Sequence, residues 1–374
     1  MDIKKFVSRE VRDAKKAFHG GDVWSVFAGD RVRRVLDFSS NVNPFGPSRK
    51  ALKAIRDSLW KISYYPDTDL DELKQVLGEY LDVSAGNLIV GNGSTEIIKI
   101  FCDLFIRKGD EVIVPEPTFS EYETLCSMRG ARLRFVYSSR DFELPCADIV
   151  GGINEKTRAV FLCSPNNPTG KVIEEDMLEE IVATAGEYGC FVFLDEAYIE
   201  FTDRSGMSKK AAESDNLIVL RSMTKFFSLP GLRVGYAVAC KDLIDILEKG
   251  RIPWNVNVLA QAAAIASLRD SDFIQKSKSR VRRERSFLRR GVEKLGIRVF
   301  ASEANFLLLD LHDLKVKASE LRSKLIRKNI LIRDCSSFRG LDDYFARISC
   351  RKRDENKILL ARLKEILEAK VGAG

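Results

Sequence analysis

Short runs of β-branched and aromatic residues alternate along this chain with longer segments whose apolar residues recur every three to four positions, the pattern of a parallel sheet wrapped by helices. The expected strands are 88–90, 111–114, 159–163, 191–194, 217–220 and 235–239, and most of them stop where a chemically useful residue begins. That placement matters, because ligands of open α/β sheets bind beyond the carboxyl ends of the strands. After about residue 250 the pattern changes: a long helical stretch, 258–295, precedes short expected strands at 298–300, 305–310, 330–333 and 346–350. The chain therefore reads as a large domain over 41–250, a smaller α/β domain over 251–374, and an N-terminal arm over 1–40 that packs on the smaller domain, ahead of the breakers Pro44, Gly46 and Pro47.

A length of 374 residues with 45% hydrophobic content agrees with two domains, since one core rarely grows that large. No stretch is long and apolar enough to span a membrane, and the charged amphipathic start lacks the apolar core of a signal peptide. A cytoplasmic protein without a membrane partner is expected. The eight cysteines lie far apart, never as C-x-x-C pairs or beside histidine, and read as reduced core residues; no metal site is expected. The net charge of +7 is spread over the chain except for the basic run 276–290. Its helical spacing, with Val281 and Phe287 pointing inward, reads as a solvated helix face and not as a nucleic-acid patch. A mild positive field favours an anionic small substrate.

Four segments carry candidate chemistry. Gly91-Asn92-Gly93-Ser94-Thr95-Glu96 joins a strand to a helix start, where backbone N–H groups, hydroxyls and the helix dipole suit a phosphate on Ser94 and Thr95. In isolation Ser94 also reads as an ordinary N-cap. Ser164-Pro165-Asn166-Asn167-Pro168-Thr169-Gly170 is a rigid polar loop at the end of a strand, so Asn167 has little freedom and can donate to a phenolate oxygen, although such a loop also simply marks a turn. Asp195, followed by Glu196-Ala197-Tyr198, ends a strand apolar enough to be buried on both faces. A buried carboxylate needs a positive partner: a protonated pyridine nitrogen, or more plainly an arginine or a backbone donor. Lys225, in Arg221-Ser222-Met223-Thr224-Lys225-Phe226-Phe227-Ser228, lies among aromatic neighbours that strip its solvation, so its amine deprotonates more easily and can attack an aldehyde. Ser222 and Arg233 are placed to clamp a phosphate.

Taken together and in this order, the phosphate loop, S-P-N-N-P-T-G, strand-D-E-A-Y and S-M-T-K-x-F-S-L-P-G-L-R-V-G resemble the fold-type-I enzymes that use pyridoxal 5′-phosphate (PLP), over nearly the whole chain. The resemblance implies a three-layer α/β fold of the aspartate aminotransferase type, with a mostly parallel sheet in the large domain and a smaller α/β C-terminal domain. It assigns Lys225 to the Schiff base with the cofactor, Asp195 to the pyridine nitrogen, and Asn167 with Tyr198 to the ring oxygen O3′. Ser94, Thr95, Ser222, Thr224 and Arg233 match phosphate-binding positions, and Phe119 matches the aromatic that stacks on the ring. Tyr65 matches a tyrosine that reaches the neighbouring subunit's cofactor, which implies a homodimer with shared active sites. Arg347 matches the arginine that grips the substrate carboxylate, a task for a planar fork, and Arg333 a second arginine found in relatives with phosphorylated substrates. Retention of Lys225, Asp195, Tyr198 and Arg233 together argues against a non-catalytic regulator with this fold.

Within the superfamily the chain resembles threonine-phosphate decarboxylase and histidinol-phosphate aminotransferase. His19-Gly20-Gly21-Asp22, the segment 331–341 and Pro253-Trp254-Asn255-Val256-Asn257 are similar to decarboxylase segments, as is the loop Asp37-Phe38-Ser39-Ser40-Asn41-Val42-Asn43-Pro44. The expected reaction is therefore PLP-dependent decarboxylation of L-threonine O-3-phosphate to (R)-1-amino-2-propanol phosphate, in cobalamin biosynthesis. Lys225 returns a proton to Cα, Arg347 and Asn167 hold the carboxylate, and Arg333, His19 and Asn41 bind the phosphate of this phosphorylated amino-acid substrate. The alternative is histidinol-phosphate aminotransferase, using glutamate and 2-oxoglutarate.

Overall fold

A computed structural model of the chain describes residues 1–14, 17, 20–27 and 35–371. Strand β1 (Leu36–Asp37) precedes seven strands, β2 (Leu88–Gly91), β3 (Glu111–Glu116), β4 (Arg132–Tyr137), β5 (Thr157–Cys163), β6 (Phe191–Asp195), β7 (Leu217–Ser222) and β8 (Gly235–Val238). These seven form one sheet in the order β2-β8-β7-β6-β5-β3-β4. The run from β7 to β4 is parallel, while β8 is antiparallel to both of its neighbours. Because successive side chains of a strand point to opposite faces, each strand feeds two cores. Val160, Leu162, Val192, Leu194 and Val219 enter one, and Ala159, Phe161, Phe193, Ile218 and Leu220 enter the other. Helices cover both faces, which explains why the central strands are continuous apolar runs.

Sequence periodicity misses β4. Its residues Arg132, Arg134 and Tyr137 are exposed and among the described residues it pairs only with β3, so as an edge strand half in water it shows no apolar run. The expected helix 258–295 is two helices, Val258–Leu268 and Ser271–Glu293, because the Asp270 side chain accepts from Phe273 N–H and starts a new helix. The first of these shares a core with the large sheet through Ala260, Ala263 and Ala264. Inward positions of the basic run are Val281, Glu284 and Leu288, not Phe287, which is only partly covered. Arg353 lies over the Phe287 ring at 4.0 Å and pairs with Glu284 at 2.9 Å.

A four-stranded antiparallel sheet follows, in the order β12 (Arg333–Asp334), β13 (Phe345–Ser349), β10 (Phe306–Asp310) and β9 (Arg298–Val299). The expected strand 330–333 is divided: β11 (Ile330–Leu331) pairs in parallel with β1, and β12 pairs with β13. The arm is divided too. Glu10, in the helix Arg9–Asp13, pairs with Lys108 beside the large sheet at 2.8 Å, whereas Asp22 pairs with Arg322 of the helix Ala318–Ile326 at 3.1 Å. Packing of the whole arm on the C-terminal unit is thus corrected for its first helix. All eight cysteines are free thiols, and six are buried. Among the described residues no helix is long and apolar enough to cross a membrane.

Candidate active site

The carboxyl ends of β5, β6 and β7 face a cavity of about 270 Å³, closed on the other side by β12, β13 and the loop after β1. Lys225 stands in its wall, three residues after the end of β7, half-buried beside the buried Phe226 and Phe227. Burial, then the nearby Arg347 and Arg233 guanidiniums, bring its amine down from 10.5 to about 8, with Asp195 opposing. At pH 7 roughly a tenth of such an amine is neutral, against well under a thousandth for a solvated lysine. That supplies the nucleophile the aromatic neighbours suggest.

Asp195, the last residue of β6, accepts from Tyr122 Oη at 2.7 Å and from Ala197 N–H at 2.9 Å. Both partners are neutral, and burial pushes its carboxyl up. A cation facing it from the cavity would reverse that shift. The arginine partner that sequence reading left open goes to the next residue instead, since Glu196 pairs with buried Arg221 at 2.9 Å. Tyr122 went unnoticed in the sequence. Its one signal is a hydroxyl three positions after Phe119 on a helix face that is otherwise buried and apolar, and the two rings meet edge to face at 5.5 Å.

Opposite Asp195, Ser94 and Thr95 begin the helix Ser94–Phe105, preceded by Gly93 at φ +81°. A Cβ at Gly93 would lie 2.4 Å from the Arg233 guanidinium, so glycine is required for this close approach. Helix N-terminus, two hydroxyls and a guanidinium make an anion cradle. Thr224 lines the cavity, and Ser222 reaches it only through the 2.8 Å bond between Ser222 Oγ and Thr224 Oγ1. Phe119 also lies in the wall, in a loop locked to that of Asn167 because Thr118 Oγ1 donates to Asn166 Oδ1 at 2.9 Å and Asn166 Nδ2 to Pro117 O at 2.9 Å.

The far wall is cationic. Arg347 on β13 donates to Ser39 O at 2.8 Å and to Asn167 Oδ1. Arg333 sits opposite it in register on β12 and donates to Ser337 Oγ at 2.8 Å. Burial, then Arg347, lowers Arg333 to about 10. Two buried guanidiniums side by side favour an anion between or beside them. Asn41, expected at a substrate phosphate, lines the cavity, and its Nδ2 donates to Tyr198 Oη at 3.0 Å. Burial raises the Tyr198 hydroxyl to about 12. His19 lies outside the described residues, although Gly20 is in the wall. Tyr65 is not brought to the cavity of its own chain. It is exposed and stacks on Trp254 with ring centroids 4.6 Å apart.

The model for aminotransferase class I and II matches residues 33–363. The chain belongs to that family. It is 37% identical over 344 residues to the histidinol-phosphate aminotransferase of Methanocaldococcus jannaschii, covering 91% of each chain. In three dimensions it resembles the histidinol-phosphate aminotransferase of Clostridium acetobutylicum, with a TM-score of 0.84 at 31% identity over 90% of this chain and 100% of that one. L-threonine-O-3-phosphate decarboxylase from Porphyromonas gingivalis is also similar, with a TM-score of 0.78 at 28% identity over 89% of this chain and 100% of that one.

Members of this aminotransferase family use PLP, and the residues present fit it: an anion cradle, a buried carboxylate whose hydrogen-bond partners among the described residues are neutral, an aromatic ring in the wall and a half-buried, activated lysine. The expected decarboxylation, and with it a place in cobalamin biosynthesis, is overturned, because the similar sequences are histidinol-phosphate aminotransferases over about nine-tenths of the chain. Of the segments that resembled a decarboxylase, Gly20, Ser39, Ser40, Asn41 and Arg333 line the cavity, while other residues do general work: Asp22 pairs with Arg322, Asn255 donates to Glu96 Oε2 at 2.6 Å, and Asn257 caps the helix Val258–Leu268. Cys335 and Phe338, in the segment 331–341, belong to an apolar cluster. Such contacts hold a shape, not a choice of bond to break.

Proposed function

We propose that this chain is a PLP-dependent aminotransferase acting on histidinol phosphate, with glutamate and 2-oxoglutarate as the exchanged amino donor and acceptor. The observation that carries the reading is the pair of buried arginines, Arg333 and Arg347, facing one cavity with Lys225. Glutamate and histidinol phosphate must visit the same cavity in turn, and each brings an anionic group that a guanidinium fork can hold. Arg347 takes the carboxylate on glutamate Cα, and Arg333 takes the distal carboxylate or the phosphate. The similar proteins named histidinol-phosphate aminotransferase support the same substrate.

When bound, PLP supplies an electron sink for the electrons left at substrate Cα. Asp195 would hold the proton on the ring nitrogen. Tyr198 and the Asn167 amide would hold the ring oxygen, Phe119 would face the ring, and Ser94, Thr95, Thr224 and Arg233 would hold the phosphate, with Ser222 behind Thr224. Lys225 Nζ takes the proton from substrate Cα, a task that suits an amine titrating near neutral pH. The working unit in this reading is a homodimer. Trp60, Ile62, Tyr64, Tyr65 and Trp254 form an exposed apolar surface that a second copy would cover, bringing Tyr65 to the partner's phosphate cradle.

Holoenzyme mixed with histidinol phosphate and 2-oxoglutarate should form glutamate. Glutamate formed from other amino acids but not from histidinol phosphate would overturn the substrate and leave the reaction class. Sedimentation should give a dimer; a monomer with full activity would remove Tyr65 from the site.

A further inference from the structure

The loop after β1 ties the two sides of the cavity together, and one carboxylate shapes it. Asp37 Oδ1 accepts from Ser39 N–H at 2.8 Å, Ser39 Oγ at 2.6 Å and Ser40 N–H at 3.3 Å, while Oδ2 accepts from Ser40 Oγ. A short acidic side chain bonded to the backbone just ahead of it imposes a turn on residues 37–40. Upstream, this turn is fastened to the C-terminal unit: Asp37 pairs with Leu331, Ser349 N–H donates to Phe38 O at 2.8 Å, and Arg351 Nη1 donates to Asp37 O at 3.3 Å. Downstream it is fastened to the lysine loop, where Asn43 N–H donates to Lys225 O at 2.9 Å and Asn43 Nδ2 to Phe226 O at 2.8 Å.

Between these anchors the turn presents two groups to the site. Ser39 O receives the Arg347 guanidinium, and Asn41 Nδ2 meets the Tyr198 hydroxyl. Ser39 Oγ, besides donating to Asp37, accepts from Gly21 N–H at 2.9 Å. A Cβ on Gly20 would lie 2.4 Å from Ser39 O, so the chain is packed tightly against the very carbonyl that aims Arg347. Turning Ser39 O by a rotation of the loop would move the guanidinium, because its remaining bond is to Asn167 Oδ1 and its Nε has no partner among the described residues.

We propose that Asp37 is a positioning residue that aims Arg347 at the substrate carboxylate through the carbonyl of Ser39. The proposal rests on the reading of Arg347 given above. It separates the two substrates, because glutamate carries a carboxylate directly on Cα, whereas histidinol phosphate carries a phosphoryloxymethyl group there, whose phosphate lies farther from Cα and falls to Arg333 in that reading. Loss of the Asp37 turn therefore weakens glutamate and spares histidinol phosphate.

The test uses holoenzyme and the dicarboxylate maleate, whose binding is read from the cofactor absorbance, together with the two half-reactions. Asp37→Ala should raise the maleate dissociation constant and the glutamate KM about tenfold, with the histidinol phosphate KM and both kcat values within about threefold. Asp37→Asn keeps one acceptor for Ser39 N–H and should fall between the two, which also covers failure of the alanine variant to fold. In an Arg347→Lys background the Asp37→Asn change should have little further effect on maleate. A wild-type maleate constant in Asp37→Asn and Asp37→Ala, or an equal loss for both substrates, would overturn the role. Wild-type enzyme that binds maleate but forms no glutamate from histidinol phosphate would sink the substrate reading alone, and Asp37 would then be judged on maleate. Wild-type enzyme that forms glutamate from histidinol phosphate but does not bind maleate overturns the carboxylate role of Arg347 and with it that of Asp37.

Discussion

The two ends of the cavity are built differently. At the cofactor end, Asp195, Ser222 and Lys225 stand at or just past the ends of neighbouring parallel strands, and Ser94 starts the helix that follows β2. Each is positioned by the few residues around it. At the substrate end the partners are remote in sequence: Arg347 meets Ser39 across 308 residues and Asn167 across 180. A site assembled from strand ends keeps its geometry through sheet hydrogen bonds. One assembled between two units depends on the loop that joins them, so the two ends should fail in different ways when perturbed.

The largest expected effect lies at the cofactor end. Lys225→Ala should remove the protein-bound cofactor absorbance and lower both half-reactions by about a thousandfold or more, as for loss of a proton-transfer group. A variant that retained the absorbance would refute the assignment of the lysine. At the substrate end, Arg347→Lys should raise the glutamate KM by about ten- to a hundredfold while leaving the cofactor absorbance intact, since a point charge replaces a bidentate fork. An equal loss for histidinol phosphate would erase the contrast between the ends.

Smaller effects sharpen it. Tyr122→Phe removes one of the two bonds to the Asp195 side chain seen among the described residues and should lower kcat in both half-reactions by about three- to tenfold, corresponding to roughly 1 kcal/mol, the net worth of a typical hydrogen bond. A change in one half-reaction only would mean that Tyr122 acts on substrate. The smallest effect is one of pH. Glu116, at the end of β3, accepts from Thr118 N–H at 2.8 Å, and burial raises its carboxyl from 4.5 to about 8. The folded protein thus holds a proton that the unfolded chain releases between those two values, so stability falls as pH rises through that window and levels off above about 8. Glu116→Gln should flatten this fall in melting temperatures taken at about pH 6 and about pH 8.5, as expected for a side chain that cannot ionise. An unchanged slope would show that other groups cause it.

Much of this contrast could be read in advance. The strands from β5 to β7, their buried apolar runs and the polar residues at their ends were legible, because alternation and punctuation record local burial. Strand β4 was not, since an edge strand that shows Arg132 and Arg134 to water has no apolar run to detect. The break at Asp270 was hidden inside two helical patterns of the same period, and only the bond to Phe273 N–H marks it. The segments that resembled a decarboxylase misled for a related reason: a motif reports that a shape is kept, and Asn255, Asn257 and Asp22 keep shape through caps and ion pairs.

By itself the sequence determined the fold class and picked out Lys225, Asp195, Ser94, Thr95 and Arg233, which the fold brings to one cavity, since each stands near a strand end or a helix start. Only the tertiary structure decided that Asn41 belongs to Tyr198, that Tyr122 holds Asp195, and that Asp37 stands behind Arg347. Those contacts join residues 157, 73 and 308 positions apart, the last through Ser39. They are set by how segments remote along the chain pack together, and nothing in the spacing of hydrophobic and polar positions along a chain records such a distance through space.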